Sequence, residues 1–199
     1  MCPGGMVVAA ASEEGRLVTN GMSNYRRNSG VANSALLVQV TPSDWGTGVL
    51  GGIAFQRQLE ERAFCAGGGD YRAPVQSVGD FLAGRTGTRD FLVMPTYAPG
   101  VRAADLCGVL PEACTASLAR ALTFWEERVP GFGAADVPLT GVESRSSAPC
   151  RIVRDAATME SVSAAGLYPI GEGAGYAGGI MSAALDGLKA ALAFLNKIQ

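Results

Sequence analysis

The sequence predicts an α/β fold, with helices and short strands mixed along the chain. Three observations carry that expectation. Short apolar runs are bounded by glycine and proline turns, other segments space their apolar residues as a helix does, and residues 166–187 read as strand, glycine-rich turn and helix in succession. With 199 residues, 48% hydrophobic and 17% charged, the chain has material for one or two modest domains with real cores and is not a disordered segment. Its 27 glycines exceed the average share and predict many turns or close backbone approaches.

Residues 6–11 (Met-Val-Val-Ala-Ala-Ala) predict a buried strand, preceded by a tight turn at Cys2-Pro3-Gly4-Gly5. Residues 16–19 predict a second short strand closed by the turn signal Asn20-Gly21, and residues 35–40 a third. A helix is expected over 53–65, with Ala54, Phe55, Leu59 and Phe64 on its apolar side and Gly67-Gly68-Gly69 as its stop. Residues 70–100, which hold Pro74, Pro95 and Pro99, read as loop-rich. Leu110-Pro111 opens a second helix, with proline in the first turn, where its missing N–H costs no helical bond. Ala113, Leu118, Ala121, Leu122 and Trp125 follow at helical spacing, and Pro130-Gly131 ends the helix. A polar segment at 143–151 leads into a strand at 151–153. The last strand is expected at 167–170 and the last helix from about 178 to 196, with no internal repeat anywhere. A glycine turn of this kind usually completes a larger parallel sheet, and the strands that would neighbour 167–170 are not evident in the sequence.

Several function classes are excluded early. The chain has no histidine, which removes histidine triads, histidine metal sites and a histidine proton shuttle. The five cysteines, Cys2, Cys65, Cys107, Cys114 and Cys150, are scattered and form no C-x-x-C pair. They read as buried, reduced thiols; Cys107 and Cys114 can share a helix face but offer too few ligands for a metal. A net charge of −2, with Arg26-Arg27 as the sole basic pair, gives nucleic-acid binding little electrostatic support. No run of apolar residues is long enough to cross a membrane and no signal-peptide pattern is present, so a cytoplasmic location without membrane partners is expected.

The segment at 166–187 carries the most chemistry. A helix N-terminus offers backbone donors and a positive dipole end, and glycines let a ligand come close to the main chain. The turn holds one carboxylate, Glu172. Together these make a site for an anionic or polar cofactor group; the alternative is that Glu172 only caps a helix starting near Gly178. The segment at 143–151 packs Glu143, Arg145, Ser146, Ser147 and Arg151 too densely for a plain loop. Arg145 can hold an anionic substrate group through two bonds or pair with Glu143.

Several runs resemble one family. They are Cys2-Pro3-Gly4-Gly5, Val18-Thr19-Asn20-Gly21-Met22-Ser23, Ala32-Asn33-Ser34-Ala35-Leu36-Leu37-Val38, Phe55-Gln56-Arg57, Ala73-Pro74-Val75-Gln76, Gly79-Asp80-Phe81-Leu82 and Tyr97-Ala98-Pro99-Gly100-Val101. Gly141 to Pro149 and the motif at 166–187 complete the set. In order and over nearly the whole chain, the sequence resembles the uncharacterised FAD-dependent dehydrogenases, a branch of the two-dinucleotide-binding flavoproteins. The resemblance implies the C-terminal portion of a protein more than twice as long, with an FAD/NAD(P)-binding Rossmann-like fold. Residues 1–12 and 141–199 would close the FAD-binding domain, and 13–140 would form an inserted α/β domain on the substrate side. No Gly-x-Gly-x-x-Gly run stands in a strand–turn–helix context here, so the pyrophosphate loop is expected in cis, in an N-terminal FAD-binding half. The isolated chain is accordingly expected to be inactive.

By the same resemblance, Glu172 accepts a hydrogen bond from a ribityl hydroxyl of FAD, within the turn shaped by Gly171 and Gly173. The amides of Gly178, Gly179 and Ile180 face the flavin pyrimidine end, where a positive helix end favours the anionic reduced form. Arg145, Ser146, Ser147 and Arg151 lie near the flavin or the substrate pocket, and Tyr176 either stacks near the flavin or simply packs. Cys2 and Arg145 are the catalytic candidates, with Cys2 read either as a redox thiol or as part of a turn. The implied activity is that of an FAD-dependent oxidoreductase, taking hydride from NAD(P)H or from a small organic substrate. The competing reading is a non-enzymatic, incomplete domain that binds no flavin until a partner or an upstream segment supplies the pyrophosphate loop. Apolar surface left exposed where the missing half docks predicts poor solubility.

Overall fold

The structure, a computed structural model, describes residues 2–87 and 90–198, and for Cys2 the backbone alone. In chain order the elements are β1 (Cys2–Pro3), β2 (Gly5–Ala9), β3 (Thr19–Ser23), β4 (Ala32–Asn33), α1 (Pro42–Trp45) and α2 (Gly51–Gly67). There follow β5 (Ala73–Ser77), α3 (Val78–Ala83), β6 (Val101–Ala103), α4 (Glu112–Arg128), β7 (Pro138–Thr140) and α5 (Ile180–Ile198). The mixture is the α/β composition the sequence predicts, but the sheets are small. Among the described residues they are two antiparallel pairs, β1–β4 and β2–β3, and one mixed sheet of three strands in the order β6–β5–β7. The chain divides into two compact units, Met1–Val40 with Phe55–Ser144, and Thr41–Ala54 with Arg145–Gln199.

In the first unit β2 and β3 pair antiparallel, from Gly5↔Ser23 to Ala9↔Thr19. The expected second strand is therefore displaced toward the C-terminus, and Asn20-Gly21 lies inside β3 instead of closing a turn. Packing accounts for both. Leu17 and Val18 are fully buried, and the Leu17 amide donates to the Glu60 carbonyl of α2, so these residues anchor the strand instead of opening it. A Cβ on Gly21 would stand 3.2 Å from Asn33 Nδ2, so Gly21 lets the side chain of Asn33, from the separate β1–β4 pair, come close to β3.

The stretch expected to be loop holds the best-buried strand. All five residues of β5 are buried, and β5 sits centrally, parallel to β6 and antiparallel to β7. Pro74 masks this strand in the sequence, because proline cannot donate to a ladder. Pro74 survives here because its β7-facing side lies beyond the last antiparallel pair, Val75↔Thr140, where only its carbonyl is used, by the Gly141 amide at 3.2 Å. β5 runs directly into α3: Ser77 Oγ accepts from the Asp80 amide at 3.1 Å, and Gly84 (φ 61°) closes the helix in the left-handed conformation. Gln76 ties the strand to its surroundings, donating to the Arg85 carbonyl at 2.5 Å and accepting from the Leu106 amide at 3.0 Å.

Two apolar clusters make the core of this unit. Leu17, Ala63, Ala73, Tyr97, Val109 and Val142 form one; Val78, Phe81, Leu106 and Leu122 form the other, with Leu122 contributed by α4. The helices at 53–65 and after Pro111 are present as α2 and α4, the first extended by two residues at each end and the second capped by Pro111 itself. Residues 35–40, expected to be a strand, have no regular structure. Leu36 packs on the second cluster while Leu37 stays exposed, so one side chain is half-buried without a ladder forming.

The second unit is α1, α5 and a long irregular segment. Neither 151–153 nor 167–170 forms the expected strand. Their backbone groups are used elsewhere. The Ile152 amide donates to Ala174, Arg154 and Ser161 form a single bridge, Leu167 accepts from Ser161, and the Pro169 carbonyl is taken by an arginine side chain. Pro169 also lacks the N–H a ladder would need. α5 begins two residues later than expected, at Ile180. No helix of the described residues is long and apolar enough to cross a membrane.

Candidate functional site

The glycine turn is built from the backbone outward. Gly171 (φ 71°) and Gly175 (φ 82°) adopt the left-handed conformation that favours glycine. Between them the Gly175 amide donates to Glu172 O at 2.9 Å, and the Tyr176 amide to Gly171 O at 3.1 Å. The chain therefore reverses tightly over 171–176. A Cβ on Gly175 would lie 2.5 Å from the Cys150 carbonyl oxygen, so the turn rests against 150–151 with no room for a side chain. A Cβ on Gly173 or Gly178 would meet nothing within 4 Å. The outer side of the turn is thus open main chain, with the exposed Glu172 side chain beside it.

Charged side chains hold the inner side. Arg154 donates Nη1 to Asp186 Oδ2 at 2.9 Å and Nη2 to Asp186 Oδ1 at 2.6 Å, and Nη1 also reaches the Pro169 carbonyl at 2.7 Å. Asp186, in the second turn of α5, accepts in addition from the Gly171 amide at 2.9 Å. Both side chains are largely buried, at 8% and 11% exposure. The bonds from Arg154 and the Gly171 amide bring the Asp186 carboxyl from 3.8 down to about 2, against the opposing effect of burial. The same aspartate raises the pKa of Arg154. Tyr176 completes the arrangement. The Arg154 guanidinium lies 3.6 Å from its ring centroid, that of Arg151 lies 4.8 Å away, and its hydroxyl accepts from the Arg154 amide at 3.2 Å. Arg151 Nε donates to the Gly175 carbonyl at 2.9 Å.

Of the residues singled out in the sequence, Gly171, Glu172, Gly173, Arg151 and Tyr176 come together around this turn. Gly178, Gly179 and Ile180 are exposed at the start of α5. The Gly179 amide there donates to Ser182 Oγ at 3.1 Å, and Ser182 Oγ in turn donates to the Gly179 carbonyl at 2.9 Å. Arg145 is half-buried at the start of its stretch of the second unit, followed by the exposed Ser146 and Ser147. Glu143 ends up in the first unit, where burial pushes its carboxyl above the usual value. Next to it Ser144 is held on α2: Gln56 Nε2 donates to its carbonyl at 2.9 Å, and its hydroxyl donates to the fully buried Glu60 at 2.8 Å. The Cys2 side chain lies outside the described residues. Among the described residues no group of histidine, cysteine or carboxylate side chains is placed to hold a metal ion.

Sequence reasoning misses Arg154 and Asp186. A signal exists: Asp186 is the one acidic residue in the 19 residues of α5, otherwise dominated by alanine and leucine. A lone carboxylate in such a helix calls for a cation, and nothing in the sequence says which.

Residues 1–146 match the family described as FAD-dependent protein, C-terminal domain-like, and the chain belongs to that family. An uncharacterized protein of Clostridium beijerinckii is 50% identical over 198 residues, which are 99% of this chain and 37% of the relative. The chain therefore spans 37% of the length of that curated relative. The glycine turn lies beyond the family match but within the stretch shared with the relative.

Proposed function

We propose that this chain is the flavin-contacting C-terminal part of an FAD-dependent oxidoreductase. The open turn at 171–175 carries the reading. Its residues fit the group: Glu172 offers an exposed charged acceptor, and the main chain at Gly173 and Gly178 has clear space in front of it. Glu172 would accept from a ribityl hydroxyl, a charge-assisted bond stronger than a neutral one. The start of α5 at Ile180, just after Gly178 and Gly179, would place a positive dipole end beside the flavin pyrimidine. Bound FAD supplies two-electron redox chemistry, with hydride from a nicotinamide or a small organic substrate. This chain's own residues bind, orient and set the local field. Arg145, Ser146 and Ser147 would lie near the flavin or the substrate.

The pyrophosphate loop and the parallel strands of a Rossmann-like sheet would come from the part of the longer protein that this chain does not match. Residues 1–12 and 141–199 would then close the FAD domain, with 13–140 inserted. The exposed apolar residues of α5 support this, since surface of that kind is normally covered.

Joining the chain to the unmatched part of the Clostridium beijerinckii relative tests the reading. The joined protein is expected to purify with FAD, seen in its visible absorption, while the chain alone purifies without it. A folded joined protein that neither retains nor takes up FAD would overturn the proposal and leave a non-enzymatic domain.

A further inference from the structure

We propose that Arg154 and Asp186 are positioning residues for the turn that carries Glu172, fixing it to α5; this rests on the flavin reading above. Two hydrogen bonds join the pair and three further contacts converge on it. Arg154 engages both oxygens of Asp186, the Pro169 carbonyl before the turn and the Tyr176 ring after it, while Asp186 accepts the Gly171 amide inside it. The segments before, within and after the turn are thereby tied to one side chain on the helix. Of the other bonds of the turn, Gly175 to Glu172 and Tyr176 to Gly171 are internal to it, and those from the Ile152 amide to Ala174 and from Arg151 Nε to Gly175 join it to 151–152; none of these relates it to α5.

The consequence is geometric. Glu172 sits one residue after the Gly171 amide held by Asp186, and Asp186 lies six positions into the helix that begins at Ile180. The distance between the carboxylate and the start of α5 is therefore set by this pair. A ligand contacting both needs that distance fixed beforehand, because a site left to order itself on binding loses affinity. Among the described ion pairs, Lys197–Glu160 also joins α5 to the irregular segment, 37 residues apart, but it does not touch the turn. Arg72–Asp70 joins near neighbours on the surface, and Lys197–Glu160 has its lysine half exposed. Lysine cannot replace Arg154, since a single ammonium cannot bond two carboxylate oxygens and a carbonyl while also presenting a flat face to a ring.

Two measurements test the assignment. The first is amide hydrogen exchange on the 199-residue chain, comparing Asp186→Asn and Arg154→Lys with the parent. Exchange of the amides at 171–176 is expected to rise about tenfold in both variants, while the amides of α4 and of the C-terminal half of α5 keep their rates. Unchanged exchange at 171–176, or an equal rise everywhere, would overturn the proposal. The second is FAD affinity in the joined protein. Asp186→Asn is expected to weaken binding about tenfold when Glu172 is present and less than about twofold in a Glu172→Ala background, because the pair acts through Glu172. Equal losses in both backgrounds mean a merely structural pair and overturn it. A joined protein that folds and binds no FAD removes the flavin reading, and the exchange result then still decides whether the pair fixes the turn.

Discussion

At Gly175 the main chain leaves no space for a side chain, and at Gly173 it does. An alanine at 175 would have to move the Cys150 carbonyl, 2.5 Å away, and hold φ near 82°. Gly175→Ala is therefore expected to cost about 1–3 kcal/mol in denaturant unfolding, against less than about 1 kcal/mol for Gly173→Ala. Asp186 makes a prediction of the opposite kind, in pH. Its carboxyl is lowered from 3.8 to about 2 in the folded chain, so the unfolded chain takes up the proton first as acid is added. The stability it contributes is complete above the unfolded value and is lost as the pH falls from about 4 to about 2. In urea titrations across that window the parent should lose more stability than Asp186→Asn. Equal slopes would show that Asp186 is not held by Arg154 in solution. Glu143 has the opposite sign: burial raises its carboxyl, so it favours the folded state more as the pH falls.

Among the elements, the helices are legible because their spacing is local. Phe55, Leu59 and Phe64 mark α2, and Pro111 marks the start of α4, without knowledge of anything else in the chain. Strands need partners, and there the sequence says less. β5 is hidden by Pro74, whose side of the strand has no ladder to fill. Residues 167–170 look like a strand because their apolar side chains suit one, while their backbone serves Arg154 and Ser161. The turn around Glu172 is readable from its glycines. The pair that ties it down is not, because Arg154 and Asp186 stand 32 residues apart and meet only in the fold. β5 supplies a direct check on the first unit. Gln76 is buried and satisfies both the Arg85 carbonyl and the Leu106 amide, so Gln76→Ala strands the buried Leu106 amide and frees the Arg85 carbonyl, which is nearer solvent. It should cost about 1–3 kcal/mol in chemical unfolding, and a loss below about 0.5 kcal/mol would mean that water replaces the side chain freely.

For the whole molecule, the surface and the comparisons point the same way. Leu185, Leu188, Leu192 and Leu195 of α5 are each about half exposed, at the three- and four-residue spacing of one helical stripe. The relative is matched over 37% of its length. In the joined protein that stripe should become protected, and Leu188→Asp should lower the yield of folded protein far more there than in the chain alone; equal effects would mean that the stripe stays uncovered. On the proposed function Glu172 is a flavin ligand. The most direct measurement is the FAD dissociation constant of the joined protein in three forms: the parent, Glu172→Gln and Glu172→Ala. Loss of a charge-assisted bond predicts a dissociation constant about tenfold or more higher for Glu172→Ala, with Glu172→Gln between the two. Three equal dissociation constants, with folding unchanged, would contradict the account.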